Sequence, residues 1–568
     1  MDQPIRASQW GWLWLLIGLA LAFGGAILAS RTQTAGGVEV RDIRFLGTGG
    51  KQMSALLYVP PNATAKTPAP AILAVHGYIN SRETQDGFAI EFARRGYVVL
   101  ALDQTGHGYS DGPAFSNGFG GPDGLAYLRS LPMVDKDNIG LEGHSMGGWT
   151  VLAAAAAMPD GYRAIVLEGS STGAPFARDG SPTWPRNLGL VFSRYDEFSK
   201  IMWGVDKARD VVDSPKLKAV FGTSDRIVPR KLYGSLANGT ARVLATPAVT
   251  HPGDHISPEA IARAIDWFGV TLKGGRPIPS SNQIWYWKEA GTALGLFGYV
   301  MIVLGAFDLL LKLPAFAELR GQAEAGAVRR DGAWWRAFLL TALVPALLFL
   351  PIFSATYLAI PANPILPQTV TTQTTLWVLV SAVIGWWLGR GTVSGRQGPW
   401  RATILIAALS VGAGYATLVV IDRLYHTDFR LWIVAVKLPS LRQALIALIY
   451  IVPITLGLIP TMRTLTDRLT VRSDGFIAQY GWAKVALILG FVLFLAADYG
   501  AFFATGQLPT AFDPLSTVIM LQFPLVLAAV AIIGIFTWRR TGGHRAGAVL
   551  AATMVTLMLT AGTATQGW

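Results

Sequence analysis

The chain has 568 residues and contains no cysteine. Disulfide bonds, thiolate metal ligands and a cysteine nucleophile are therefore excluded, which leaves serine and threonine as candidate nucleophiles. Charged residues are also scarce, at 14% of the chain against about 25% in a typical soluble protein. Because this deficit is concentrated after residue 290, much of the chain is expected to face lipid.

Acidic residues are fewer than basic ones, and the formal net charge is +12. In a chain that faces lipid, surplus lysine and arginine usually mark cytoplasmic loops. No basic run with interleaved aromatic residues occurs outside the predicted membrane loops. The composition therefore predicts a membrane protein with membrane lipid around it and no nucleic-acid partner.

The first apolar run covers residues 10–29 and is long enough to cross a hydrocarbon core of about 30 Å. Its tryptophan-rich start is typical of a helix anchored at the membrane interface. A cleavable signal peptide is the alternative, because the small residues Ala29 and Ser30 lie at the end of the run. We predict that residues 1–37 form an N-terminal transmembrane anchor with a cytoplasmic N-terminus.

Residues 38–280 alternate between strand-like and helix-like segments. Apolar strands separated by amphipathic helices predict a mainly parallel sheet with helices on both faces. The predicted strands cover residues 53–59, 71–75, 98–103, 139–142, 164–168, 218–222 and 241–249. The predicted helices include residues 84–95, 146–158 and 258–272.

Residues 281–568 contain eight further apolar spans, which predict an all-α multi-pass transmembrane domain. The spans lie near residues 291–311, 337–359, 373–389, 402–421, 441–461, 485–504, 515–537 and 547–563. The loops that connect these spans fall into two alternating sets. One set holds 15 lysines and arginines, and the other holds three. The positive-inside rule places the basic set in the cytoplasm and residues 38–280 outside it, in a multi-pass protein of the cell membrane.

The strongest chemical motif is Gly143-His144-Ser145-Met146-Gly147, a G-x-S-x-G sequence. An apolar strand leads into it and a helical segment leads out, which is the context of a nucleophile elbow. Such a turn exposes the serine hydroxyl at the edge of a sheet. Ser145 is therefore the predicted catalytic nucleophile.

A serine hydroxyl needs a base to take its proton and an acid to orient that base. In this architecture the acid follows the serine in the chain and the histidine comes last. Asp225 comes after the predicted strand 218–222 and is the expected acid, with Glu168 as the alternative. His255 is the expected base and His251 the alternative.

Two backbone N–H groups are expected to form the oxyanion hole. One belongs to Met146, the residue after the nucleophile. The other is expected from Tyr78, which follows His76 and Gly77 at the end of an early strand. The absent side chain of Gly77 would let the backbone approach the reacting carbonyl closely.

Together these residues make the chain resemble the α/β-hydrolase family, within it the group of serine aminopeptidases and monoglyceride lipases. The resemblance covers roughly residues 40–272. It implies hydrolysis of an ester, thioester or amide through an acyl-enzyme, with no cofactor and no metal, and a lid at about 171–213. The substrate could be a small molecule, a lipid or a peptide, and the oligomeric state stays open.

Two other functions are compatible with the sequence. The chain could be a transporter or channel whose outer domain is a regulatory hydrolase fold. It could also be an acyltransferase that passes the same acyl-enzyme to an acceptor other than water. An intact order of serine, acid and histidine favours the serine hydrolase over the first alternative, and sequence does not distinguish it from the second.

Overall fold

The computed structural model describes residues 10–391 and 395–567, and the chain divides into two compact units. The sheet unit comprises Leu28–Ala290, Asp498–Pro514 and the described part of Gly562–Trp568. The helical unit comprises Gly291–Ala497, Leu515–Ala561 and the described part of Met1–Ile27. Two short segments from the second half of the chain therefore belong to the sheet unit.

The sheet unit is built on one eight-stranded sheet with the order β1-β2-β4-β3-β5-β6-β7-β8. Strand β2 is antiparallel to both β1 and β4, and the remaining neighbours are parallel. The strands are β1 (Glu39–Leu46), β2 (Gln52–Val59), β3 (Ala69–Val75), β4 (Val98–Asp103), β5 (Val134–His144), β6 (Ala164–Glu168), β7 (Leu188–Val191) and β8 (Arg242–Ala245). The predicted mainly parallel sheet is confirmed.

The described residues form seventeen α-helices in all. In chain order they are α1 (Trp10–Gln33), α2 (Asp86–Arg94), α3 (Gly121–Ser130), α4 (Met146–Ala157), α5 (Ser199–Trp203), α6 (Pro215–Phe221), α7 (Pro258–Thr271), α8 (Tyr286–Leu310), α9 (Gly332–Leu347), α10 (Phe349–Ala359), α11 (Thr369–Leu388), α12 (Trp400–Tyr425), α13 (Leu441–Arg463), α14 (Phe476–Thr505), α15 (Pro514–Met520), α16 (Phe523–Thr541) and α17 (Arg545–Gly562). A small hairpin, Phe429–Leu431 with Val434–Val436, lies between α12 and α13.

Helices cover both faces of the sheet, as the alternating pattern predicts. Apolar side chains of α3 and α4 pack with one set of alternate strand residues, and those of α2 and α7 pack with the other. Strands β3 and β4 are buried along their whole length. Parallel strands buried on both faces are held mainly by this apolar packing.

The structure corrects the prediction for residues 218–222, which form the end of helix α6 rather than a strand. Ser214 caps this helix by accepting a hydrogen bond from the N–H of Leu217, and Pro215 occupies its first turn. Gly222 ends it in the left-handed conformation. These are standard helix start and stop signals, and the spacing of the buried apolar residues is helical.

Strand β7 was missed because it lies inside the segment predicted as a lid, residues 171–213. It has four residues, and Gly189 in its middle weakens the strand pattern. That glycine is needed for packing, since an added Cβ would lie 2.9 Å from ring atoms of Trp267 on α7. The predicted lid is thus interrupted by a core strand of the sheet.

In the helical unit and α1 together, seven described helical segments are long and apolar enough to cross a membrane. The bent pair α9 and α10 would make an eighth if it forms a single span. Helix α11 coincides with the predicted span 373–389 but is not among the seven candidates. Its N-terminal half carries buried polar side chains: Thr369, Thr371, Thr372, Gln373, Thr374 and Thr375.

Helices α1 and α8 approach each other closely through glycines within the helical unit. An added Cβ on Gly18 would lie 2.8 Å from the carbonyl oxygen of Gly298, and one on Gly298 would lie 2.6 Å from that of Gly18. One on Gly25 would lie 2.3 Å from the carbonyl oxygen of Gly291. Small residues at such crossings allow the close backbone packing that is common between membrane helices.

Candidate active site

Ser145 lies between β5 and α4 with φ 55° and ψ −120°, a conformation that is strained for a residue with a side chain. Its flanking glycines have no room for a Cβ. One on Gly143 would lie 2.3 Å from the carbonyl oxygen of Gly147, and one on Gly147 would lie 2.1 Å from that of Val75. The turn is therefore fixed tightly on both sides of a partly exposed Ser145.

The two residues predicted for the oxyanion hole both lie next to Ser145. Met146 is the first residue of α4, where N–H groups have no partner within the helix. An added Cβ on Gly77 would lie 3.2 Å from Cβ of Ser145, so the backbone that leads into Tyr78 passes beside the nucleophile. The Tyr78 hydroxyl accepts a hydrogen bond of 3.0 Å from the Gln566 amide.

A buried histidine and a buried aspartate form a pair at the adjoining strand ends. Asp196 follows β7 and His251 follows β8, and His251 Nδ1 lies 2.8 Å from Asp196 Oδ2. The other oxygen of Asp196 accepts a hydrogen bond of 2.8 Å from the N–H of Phe198. This aspartate is therefore held in place while its second oxygen faces the imidazole.

The His251–Asp196 pair adjoins the turn that carries Ser145. The N–H of Ser145 donates to the carbonyl oxygen of Glu168 at 2.8 Å. An added Cβ on the next residue, Gly169, would lie 2.7 Å from His251 Nδ1 and 3.2 Å from Asp196 Oδ2. On the other side, His144 Nε2 lies 3.0 Å from the carbonyl oxygen of His251.

Burial controls the protonation of this pair. It lowers the pKa of His251 to about 3, and it raises the pKa of the Asp196 carboxyl well above its usual range. The imidazole is therefore neutral at pH 7. A hydrogen bond from Nδ1–H to Asp196 leaves Nε2 with the lone pair that a general base needs.

The structure does not pair Asp225 with His255. Asp225 is exposed in the loop after α6, where its N–H donates to the Thr223 hydroxyl at 3.1 Å. The expectation for Asp225 rested on a strand that is a helix. The carboxyl group that follows β7 and faces a histidine nitrogen is that of Asp196.

His255 lies in the short 3-10 helix Pro252–Ile256, and its ring packs at a tilted angle against that of His144, with 3.9 Å between the ring centroids. Neither of its ring nitrogens has a hydrogen-bond partner within the described part of the chain. Burial holds the pKa of His255 well below its usual range. Of the two histidines, the one paired with a carboxyl group is His251.

Glu168, the alternative acid, is buried at the end of β6 and faces Glu142 rather than a histidine nitrogen. Burial and the neighbouring charge of Glu142 hold the pKa of Glu168 well above its usual range. Burial raises the pKa of Glu142 to about 7, and Gln85 donates a hydrogen bond to its carboxyl. These two carboxyls form a separate buried pair.

Three residues of the site, Asp196, Glu197 and Tyr499, escaped sequence reasoning. Glu197 accepts a hydrogen bond of 2.8 Å from the backbone N–H of His251, and Tyr499 donates one of 2.8 Å to the same carboxyl group. Asp196 could have been found as the first acid after β7, had that strand been recognised. No local pattern links Glu197 to Tyr499, because they lie 302 residues apart.

Comparison with known proteins agrees with this architecture. Residues 70–201 match the family model of the alpha/beta hydrolase fold. A monoacylglycerol lipase of Mycolicibacterium smegmatis is 31% identical over 140 residues, which cover 23% of this chain and 46% of the lipase. The match thus spans about half the length of that curated relative.

Two solved structures are also similar. A hypothetical protein from Pseudomonas aeruginosa is 28% identical over 25% of this chain and 45% of its own, with a TM-score of 0.22. A Pyrococcus furiosus esterase is 17% identical over 41% of this chain and 91% of its own, with a TM-score of 0.31. On its sheet order and its family match, the chain carries an α/β-hydrolase fold, joined to a region with several long apolar helices.

Proposed function

We propose that this protein is a membrane-anchored serine hydrolase in which Ser145, His251 and Asp196 form the catalytic triad. The observation that carries the proposal is the strained turn at Ser145 beside a buried His251–Asp196 pair. Strain of this kind persists only where the surrounding structure enforces it, and it concentrates at active sites. The proposed triad also keeps the chain order of serine, acid and histidine.

In the proposed reaction, Ser145 Oγ attacks the carbonyl carbon of an ester, thioester or amide while His251 Nε2 takes its proton. Asp196 holds the Nδ1–H of the imidazole and stabilises the charge that forms on it. The N–H groups of Met146 and Tyr78 receive the developing oxyanion. His251 then returns the proton to the leaving group, and water releases the acyl group by the same steps in reverse.

Carboxylic esters are the first substrates to test, because a monoacylglycerol lipase is among the relatives. The full-length protein, purified in detergent, should hydrolyse a short-chain activated ester and react with a fluorophosphonate probe. The Ser145→Ala variant should do neither. Reaction of the variant with the probe at the wild-type rate would refute the proposed nucleophile.

The choice of base has a direct test, since His251 and His255 are close in the chain. His251→Ala should lose activated-ester hydrolysis by a factor of roughly 10³ or more, as expected for a triad member. His255→Ala should retain a substantial fraction of the wild-type rate. The reverse pattern would move the base to His255 and separate it from Asp196.

We also propose that the apolar helices span the cell membrane with the sheet unit outside the cytoplasm. The basic loops between the predicted spans support this orientation through the positive-inside rule. Because the chain has no cysteine, single cysteines can report on it. In intact cells, an impermeant maleimide should label Asp225→Cys, at an exposed position of the sheet unit, and should not label Gly475→Cys, in a basic loop. Labelling of Gly475→Cys alone would invert the orientation.

A further inference from the structure

The proposed general base is held by its main chain as well as by its ring. Asp196 contacts the ring of His251, and His144 contacts its carbonyl oxygen. The N–H of His251 donates to Glu197 Oε2 at 2.8 Å. The residue is thus held on three sides, and Glu197 provides the contact to its backbone N–H.

Glu197 is itself positioned from the second half of the chain. It is only 5% exposed, and its Oε1 accepts a hydrogen bond of 2.8 Å from the hydroxyl of Tyr499. A buried carboxyl oxygen without a partner is costly, so this hydroxyl contributes to holding the group in one orientation. Both oxygens of Glu197 are therefore occupied, one by Tyr499 and the other by His251.

Tyr499 lies near the end of α14, at the start of the segment Asp498–Pro514 that belongs to the sheet unit. Further contacts hold this segment in place. The rings of Phe502 and Phe503 pack edge-on against Tyr195, with centroid distances of 5.9 and 5.0 Å. The guanidinium of Arg209 donates to the carbonyl oxygen of Thr505 at 3.2 Å.

The packing between Asp498–Pro514 and the loop around Asp196 and Glu197 is not continuous. A partly open pocket of about 320 Å³ lies there and is lined by both parts: Asp196, Glu197, Ser199 and Lys200 on one side, and Phe502, Leu508 and Phe512 on the other. A cavity removes van der Waals contacts that would otherwise fix neighbouring side chains. A directional hydrogen bond such as that of Tyr499 then carries more of the positioning.

We propose that Tyr499 is a positioning residue for the reaction at Ser145, acting through Glu197 on the main chain of His251. This inference rests on the proposed function. It assigns part of the active site to a segment more than 200 residues beyond the hydrolase fold in sequence. Tyr499 touches no reacting atom, so its loss should slow the chemical step and leave substrate binding unchanged.

The test uses the full-length protein in detergent and substitutes Tyr499→Phe, which removes one hydroxyl and keeps the ring. With an activated ester, kcat should fall by about 10–100-fold, the range expected when a catalytic group is slightly misplaced. KM should stay within about twofold and the Tm should stay close to that of the wild type. The rate of labelling by a fluorophosphonate should fall in parallel with kcat.

Tyr195→Phe is the matched control, because this ring packs on the same phenylalanines near the same helix end. It should behave as the wild type. An equal loss in both variants would show a packing effect and overturn the positioning role. Unchanged kcat in Tyr499→Phe would overturn it as well, as would a loss confined to KM or Tm.

Glu197 supplies a second pair of variants in case Tyr499→Phe folds poorly. Glu197→Ala removes both contacts and should lose at least as much kcat as Tyr499→Phe. Glu197→Gln should restore most of it, because the amide oxygen can accept from His251 while the Tyr499 hydroxyl accepts from the amide N–H. Equal activity of Glu197→Ala and wild type would refute the proposal.

Ser145→Ala, measured in the same series, separates the two hypotheses. If the wild type reacts in a Ser145-dependent way and neither Tyr499 nor Glu197 affects kcat, only the positioning role fails. If the wild type shows no Ser145-dependent turnover or labelling, the proposed function itself fails.

Discussion

The two halves of the candidate active site are built in different ways. The nucleophile half, from β5 through Ser145 into α4, is continuous in sequence and fixed by backbone packing. The acid–base half depends on distant residues. Asp196 and His251 are 55 positions apart, and Glu197 and its partner Tyr499 are 302 positions apart. The first half depends on local geometry, and the second depends on how distant segments fold together.

This difference decides how each half can be damaged. In the nucleophile half, removal of the Ser145 side chain removes the reacting atom, and an added side chain at Gly147 disturbs the turn. Removal of a distant partner from the acid–base half leaves every reacting atom present and displaces the base. Variants can therefore separate chemistry, turn geometry and positioning, and their expected effects decrease in that order.

The largest effect is expected at Ser145. Ser145→Ala should reduce turnover of an activated ester by a factor of roughly 10⁴–10⁶, because triad members act as a unit. For the same reason, Ser145→Ala with His251→Ala should be little worse than Ser145→Ala alone. Turnover measured for both single variants and the double variant checks this, and multiplicative losses would contradict the triad.

A smaller loss is expected at the acid. Asp196→Asn keeps the shape of the side chain but removes the charge that orients and stabilises the imidazole, and turnover should fall by roughly 10³–10⁴-fold. Asp225→Asn, at an exposed position, should stay within about twofold of the wild type. Steady-state kinetics of both variants on one ester compare the two acids directly, and a larger loss at Asp225 would restore it as the catalytic acid.

The same difference explains what the sequence could predict. Ser145, Met146 and the residues around Gly77 follow a short motif or a strand end, so local pattern located them. The proposed acid, Asp196, did not follow from local pattern, because β7 has four residues and carries Gly189 under Trp267. The apolar residues of α6 were interpreted as a strand, and Asp225, which follows them, was therefore the expected acid.

The base shows a related limit. Two histidines lie four residues apart after the last strand, and the sequence cannot show which ring faces a carboxylate. The expected helix start at Pro258 is confirmed, with Ser257 accepting from the N–H of Ala260. The pairing of His251, however, required knowledge of where β7 ends. The contact between Tyr499 and Glu197 required the tertiary fold.

The turn geometry predicts an intermediate effect, on stability. An added Cβ on Gly147 would lie 2.1 Å from the carbonyl oxygen of Val75 and 2.6 Å from that of His76, and backbone atoms there cannot easily move. Gly147→Ala should therefore destabilise the sheet unit by about 1–3 kcal/mol, as overpacking does. Gly269→Ala is the control, since nothing lies within 4 Å of the corresponding position on α7. Thermal unfolding of both variants checks the prediction, and equal Tm values would contradict it.

The smallest effect on turnover is expected for Glu197→Gln, which should instead change the pH dependence of stability. Burial and the charge of Asp196 raise the pKa of this carboxyl from 4.5 to about 8. Between these values the folded chain keeps a proton that the unfolded chain has lost, so stability falls as the pH rises through this window and levels off above it. Each tenfold difference in proton affinity between the two states is worth about 1.4 kcal/mol.

Glu197→Gln cannot ionise and should remove this contribution. The Tm of the variant should therefore fall less steeply than that of the wild type between pH 5 and pH 8. Asp196 and Asp254 also have raised pKa values and are present in both proteins, so the difference between the two curves reports Glu197 together with the effect of its charge on Asp254. Asp225→Asn, at an exposed position, should follow the wild-type curve. Parallel curves for Glu197→Gln and wild type would mean that Glu197 ionises equally in the folded and unfolded chains, and that the partners holding its two oxygens offset its burial completely.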